Sequence, residues 1–189
     1  MSSDTDLIER YSQGDDDALR LLIARYTRSL YSFAYRLTSN VDDAGDVVQD
    51  AFVKAWKHID SFDRDRSFKT WLFSITRNTA LDLIRKRRGD IPFSFIQDDE
   101  GHVVFDTPDE SPLSDELFST SEKLQSVENA LKELSFDQRT ILALHHGEGL
   151  TFEEIGETLE KPMNTVKSLY RRAVLRLREV LSDTDAPKE

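Results

Sequence analysis

Stretches of strong helical periodicity alternate along this chain with stretches that have none. Over residues 18–38, Leu19, Leu22, Ile23, Tyr26, Leu30, Phe33, Ala34 and Leu37 recur at three- and four-residue spacing. That spacing predicts one amphipathic helix with a single apolar stripe. The polar run SNVDD (39–43) supplies a turn and N-cap candidates. A second stripe from Ala44 through Val47, Val48, Ala51, Phe52, Ala55 and Trp56 to Ile59 predicts the next helix. A polar loop, DSFDRDRS (60–67), separates it from a third over about 68–88, with Trp71, Leu72, Ile75, Leu83 and Ile84 as expected core contacts. With a short helix near 4–12, these elements make a small bundle.

From residue 89 to about 121 the periodicity stops. Pro92, Pro108 and Pro112 interrupt it and aliphatic residues become sparse, which predicts a linker. Fully extended, about 30 residues reach on the order of 100 Å. Helical patterning returns over 122–182. Ser135 with Gln138, and Thr151 with Glu154, have capping-box spacing. The first opens a helix through His145 and the second a short helix ending near Leu159. EKPM makes a turn, and a last helix over about 165–181 turns Val166, Leu169, Ala173, Leu177 and Val180 inward. The expected fold is all-α, with two small helical domains: an N-terminal helical bundle (1–89) and a C-terminal helix-turn-helix domain (122–189), joined by a flexible acidic linker (90–121).

Charge sharpens this division. The chain of 189 residues has a formal charge of -11. Residues 90–122 hold ten Asp/Glu and no Lys/Arg, whereas 161–178 hold six Lys/Arg and no Asp/Glu, and 64–90 hold eight against three. The average acidity therefore hides two basic blocks on either side of an anionic one, a distribution that suits nucleic acid at two places. Without cysteine there is no disulfide or thiolate metal site. No apolar run approaches the roughly 18 residues that span a bilayer. The N-terminus is acidic and has no signal-type apolar region, so a cytoplasmic location is expected.

A short helix, a tight turn and a longer basic helix form a helix-turn-helix pattern, whose second helix enters the DNA major groove. Ile155, Leu159, Val166 and Leu169 are placed to pack the pair, and Gly156 is small where the helices cross. Lys167, Ser168, Arg171 and Arg172 fall on the outer surface, within reach of bases and phosphates. A free-standing regulator of duplex DNA fits this pattern, and so does a non-catalytic helical adaptor. The stretch TWLFSITRNTALDLIRKRR combines aromatics with Arg77, Asn78 and the cluster Arg85, Lys86, Arg87 and Arg88. Aromatic faces plus cations suit single-stranded or melted DNA. As residue types Phe68, Trp71 and Phe73 are commoner in a core, and Trp71 is expected there.

Nothing points to an enzyme. His145 and His146 are adjacent, about 100° apart on a helix, and read as structural histidines. No Gly-rich phosphate loop, nucleophile elbow or HExxH motif is present. No cofactor or metal is expected, and Asp15–Asp17 read as a solvated segment.

DDAGDVVQDAFVKAWKHIDSF followed by SFKTWLFSITRNTALDLIRKRR resembles region two of the extracytoplasmic-function (ECF) RNA polymerase sigma factors. LTFEEIGETLEKPMNTVKSLYRRAVLRLREVL resembles their region four. The order of the two motifs and the non-periodic segment between them extend the resemblance over nearly the full length. It implies a factor that binds core RNA polymerase, directs it to promoters and helps open the −10 element. Asp46, Gln49 and Asp50 match positions that dock on the clamp helices of the largest polymerase subunit, and the family's second domain meets the flap of the second-largest. Phe62 and Asn78 match positions that hold a base flipped from the −10 non-template strand. Arg77, Arg85, Lys86, Arg87 and Arg88 would hold phosphates or upstream duplex. Lys167, Ser168, Arg171 and Arg172 match positions that read the −35 element. The resemblance also implies an anti-sigma partner, which can hold such a factor at the membrane, and association with the nucleoid when active. Gly45 and Asp50 stand where Glu is usual, and Asn164 where a small residue is common. Because the family's linker threads the polymerase cleft, neutralising the acids within 98–116 is expected to change the pattern of abortive transcripts in vitro; an unchanged pattern would count against a role for that charge.

Overall fold

The structure is a computed structural model that describes residues 2–87, 130–131 and 133–184. The linker reading over 90–121, the start of the C-terminal block at 122 and Arg88 lie outside the described residues. The N-terminal unit contains α1 (Asp4–Ser12), α2 (Asp16–Thr38), α3 (Val41–Lys57), a 3-10 turn (Ile59–Ser61) and α4 (Phe68–Arg87). The C-terminal unit contains α5 (Phe136–Leu142), a π-helical turn (Ala143–Gly147), α6 (Phe152–Leu159) and α7 (Met163–Thr184). The described residues are helical, with no strand among them.

Side chains satisfy orphan amides at the starts of α1, α2, α3, α4, α5 and α6. Asp15 accepts from the amides of Asp17 and Ala18 at 3.0 and 3.3 Å and also takes Arg10 Nη2 at 2.7 Å. Its place in the Asp15–Asp17 run is therefore structural. Asn40 caps α3 by accepting from Asp43 N at 3.0 Å. Ser135 with Gln138 and Thr151 with Glu154 form both expected capping boxes. The apolar stripes of α2 and α3 are buried as the periodicity predicts. In α4 the buried positions are Phe68, Thr70, Leu72, Phe73, Thr76, Thr79 and Ala80. Trp71, Ile75, Leu83 and Ile84, expected as core contacts, are only half-buried against that core. The reason is that α4 meets α2 and α3 on one side and α6 on another. Two covered sides blur a single stripe. Thr76 is accommodated by donating its hydroxyl to Leu72 O at 2.9 Å. In α7, Val166 and Ala173 are fully buried, while Leu169, Leu177 and Val180 are half-buried.

The two units are docked. One continuous apolar core runs from Leu7 of α1 to Val166 of α7. Arg139 of α5 reaches the end of α2, donating to Leu37 O at 3.3 Å. Lys69 of α4 donates to Glu148 O at 2.6 Å. The Glu148 side chain, 9% exposed, lies 3.9 Å from the Lys69 ammonium. Burial pushes the Glu148 carboxyl above its ordinary 4.5, against the opposing pull of Lys69, Arg36 and a hydrogen bond from Ser29.

The turn between α6 and α7 is closed by backbone. Lys161 N donates to Gly156 O at 2.9 Å, and Glu160 caps α6 in the left-handed region at φ 54°. A Cβ on Gly156 would stand 2.8 Å from Lys161 O. Gly156→Ala should therefore lower stability by about 1–3 kcal/mol in urea unfolding, although helix propensity alone would raise it by about 1 kcal/mol; a stabilised variant would refute the close approach. For Glu148 the folded chain holds a proton more tightly than the unfolded chain, so this group lowers stability as pH rises through 4.5 toward its folded value. Glu148→Gln should match or exceed the parent in urea midpoint at pH 7, with the difference closing below about pH 4.5.

Candidate nucleic-acid interface

On α7 the buried Val166 and Ala173 face α6 and α5, which leaves the opposite side to solvent. Lys167, Ser168, Arg171 and Arg172 all lie on that exposed side. Among the described residues no ion pair engages Lys167, Arg171 or Arg172, whereas Lys161 at the turn is bound to Asp137 Oδ2 at 3.3 Å. Ser168 donates its hydroxyl to Thr165 O at 2.8 Å, so its oxygen remains able to accept. Lys167 and Arg171 border a shallow depression floored by Phe152, Tyr170 and Val174. Helix α7 thus presents unneutralised cations at fixed spacing, the arrangement that phosphates and base edges require.

Around α4 the sequence-predicted residues part company. Phe62 is buried, edge-on to Phe68 at 5.5 Å between ring centres and tilted against Trp71 at 4.9 Å. Phe68 and Phe73 are core residues rather than free stacking platforms. Phe62, Trp71, Ser74, Ser67, Glu157 and Glu160 border a cavity of about 320 Å³, at the lower end of the 300–1,000 Å³ typical of small-molecule sites. Asn78 is exposed and accepts from Arg77 Nη1 at 2.9 Å. Arg77 itself is engaged: its Nη2 meets Asp137 Oδ1 at 2.6 Å, and its guanidinium lies 5.5 Å over the Phe136 ring. Farther along α4, Lys86 is exposed, Arg85 is half-buried, and Arg87 pairs with the buried Asp43 at the start of α3. Burial pushes the Asp43 carboxyl up, and Arg87 draws it back down.

Asp46, Gln49 and Asp50 share one exposed face of α3. Gly45 opens onto the same face with nothing near its missing side chain. Exposed apolar residues border this region: Val41 and Val53 on α3, and Tyr31 on α2, whose hydroxyl donates to Val41 O at 3.5 Å. The resemblance to region two singles out Asp46, Gln49 and Asp50; the exposed valines carry no such signal. Two further cations lie nearby: Arg66 borders the Phe62 cavity and Lys69 lies 5.8 Å over the Phe73 ring. The four-residue spacing of Lys69, Phe73 and Arg77 is the one trace of them in the sequence.

The adjacent histidines do not form a metal site. His145 Nδ1 is 2.9 Å from Leu150 O with its ring stacked on Phe152, and His146 Nε2 is 3.1 Å from the Tyr170 hydroxyl. Among the described residues there is no His/Cys/Asp/Glu group able to hold a metal ion, and no helix long and apolar enough to cross a membrane.

Two family models match: Sigma-70 region 2 over residues 22–89 and Sigma-70, region 4 over residues 130–179. The ECF RNA polymerase sigma factor SigW of Bacillus subtilis is 33% identical over 184 residues, covering 93% of this chain and 95% of that protein. The ECF RNA polymerase sigma-E factor of Escherichia coli K12 is 33% identical over 179 residues, 90% of each chain. Among solved structures, CnrH in complex with the cytosolic domain of CnrY superposes with a TM-score of 0.72 at 28% identity, covering 98% of this chain and 100% of that one. The sigma factor RpoE in complex with the anti-sigma factor NepR from Bartonella quintana gives 0.65 at 32%, covering 87% and 96%. With the two sigma regions in order, and relatives above 30% identity along nearly the whole length, this chain belongs to the ECF RNA polymerase sigma factor family.

Proposed function

We propose that the chain binds core RNA polymerase and assigns its two helical units to the two elements of one promoter. The observation that carries this reading is the outer side of α7, where Lys167, Arg171 and Arg172 are exposed and without ion pairs among the described residues. In an acidic protein, an unneutralised cationic stripe on a helix held by a tight turn fits the −35 major groove. Residues 122–189 form the −35 domain in this reading, and their apolar side meets the polymerase flap. Residues 1–89 form the core-binding and −10 domain. Asp46, Gln49 and Asp50 dock on the clamp helices, Phe62 and Asn78 take a flipped base, and Arg77, Arg85, Lys86, Arg87 and Arg88 hold the strand and upstream duplex. Phe62 serves as the floor of the cavity beside Trp71, not as a free platform.

The chain is a transcription initiation factor. We infer that it carries out no catalysis itself and works in the cytoplasm, where polymerase and promoter meet. An anti-sigma partner is part of this reading, because the similar sigma factor RpoE of Bartonella quintana was solved in complex with the anti-sigma factor NepR.

Run-off transcription with purified core polymerase and a promoter library tests the whole reading. Transcripts that depend on the chain and share upstream elements are expected, and duplex binding by the chain alone with no such transcripts would make it a free-standing regulator. Arg171→Glu or Arg172→Glu should cost about 1–3 kcal/mol of promoter binding by the holoenzyme with an unchanged circular dichroism spectrum. Asp46→Lys with Asp50→Lys should weaken core binding by about tenfold or more in a pull-down titration, with duplex contacts on α7 untouched.

A further inference from the structure

Asn164 stands at the second position of α7 and is exposed. At about 100° per residue it lies opposite the buried Ala173. Lys167 and Ser168 flank it one turn on, and Arg171 follows two turns on, almost directly in line. Among the described residues nothing hydrogen-bonds its carboxamide. An Asn at a helix start ordinarily caps it, from a non-helical residue just before the first turn. Asn164 is already inside the helix, behind Pro162, whose carbonyl takes the amides of Thr165 and Val166 at 2.9 and 3.1 Å. The turn itself is closed by Lys161 N on Gly156 O. The Asn164 side chain therefore holds neither the helix start nor the turn, and as a poor helix former it gives the helix nothing.

We propose that Asn164 is a base-reading residue of α7 and selects adenine at one position of the −35 element. This rests on the reading of α7 as the −35 helix. In a helix-turn-helix the N-terminal residues of the second helix lie nearest the base edges, and Asn164 precedes all four residues already placed on that side. A carboxamide carries an acceptor and a donor side by side, which match the N6 amino group and N7 of adenine in the major groove. Guanine presents two acceptors there instead. Lys167, Arg171 and Arg172 can only donate, so they favour guanine or phosphate oxygens. Ser168 has given its hydroxyl proton to Thr165 O and keeps only an acceptor. Of the outward groups on this part of α7, Asn164 alone pairs a free acceptor with a free donor. It lies one turn, about 5 Å along the axis, from Lys167 and Ser168, so the base pair it reads adjoins theirs.

Holoenzyme assembled from core polymerase and the full chain is offered promoter duplexes randomised across the −35 element, and the bound molecules are sequenced. Compared are the parent, Asn164→Ala and Arg171→Ala. The parent should favour adenine at one position by about tenfold, and Asn164→Ala should lose that preference with the other positions unchanged. Thermal unfolding of Asn164→Ala should match or exceed the parent, since Ala is the better helix former. Replacing that adenine by 7-deazaadenine, which lacks N7, should weaken the parent by a similar factor and leave Asn164→Ala unaffected. Equal weakening of Asn164→Ala on every sequence would make the residue a phosphate or structural contact and overturn the proposal. Loss of a preference for another base would overturn the choice of adenine. If Arg171→Ala weakens binding while Asn164→Ala keeps every preference, α7 reads the −35 element without Asn164 and only this inference falls. If neither substitution changes binding, or the holoenzyme selects no upstream element, the −35 reading of α7 falls and the inference with it.

Discussion

Arg139 is the largest side chain in the fully buried set, at 1% exposure, and its guanidinium donates to Leu134 O and to Leu37 O near the end of α2. A buried cation is expensive unless hydrogen bonds and field compensate it. Here the negative end of the α2 macrodipole and two carbonyls do so. The relation between the units depends on this strut and on the shared apolar core, because Arg139 ties Leu134 O before α5 to Leu37 O of α2. Once α5 is fixed there, Phe136 lies beneath Arg77, and α6 comes to lie along α4.

The chain's charges then divide into two populations. On the docked side, cations meet anions across the seam and are mutually neutralised. On the far side of α7 they face water without partners among the described residues. A net charge of -11 conceals this split. The summed charge of such a molecule repels DNA, while the cationic side of α7 attracts it at short range. Screening at physiological ionic strength confines each effect to about 8 Å, so the local stripe governs contact.

Much of the local structure was legible because it is written in local chemistry. Ser135 with Gln138 and Thr151 with Glu154 announce helix starts through side chains that act within four residues. The stripes of α2 and α3 announce a single buried side. Helix α4 was harder, since it is covered on two sides and buries Thr70, Thr76 and Thr79, whose hydroxyls disguise an interior position. Lys167, Ser168, Arg171 and Arg172 could be placed on the outer side from periodicity alone. The docking of the units could not be anticipated. Asp137, Glu148 and Glu157 are about ten residues apart, share no period, and come together only after Arg139 and the apolar seam have brought α5 and α6 onto α2 and α4. Phe62, an aromatic in a polar loop, is likewise packed against Phe68 and Trp71, a contact that no local pattern announces.

The turn at Gly156 has a consequence for how such a factor can change its target. The orientation of α7 is fixed by a backbone contact, the approach of Lys161 O to the bare Cα of Gly156, and by the buried Val166 and Ala173. None of the four outward residues helps to hold that angle. Their side chains can therefore be exchanged with little effect on folding. Evolution, or an engineer, can vary the outward surface of this scaffold one residue at a time without passing through an unfolded ancestor.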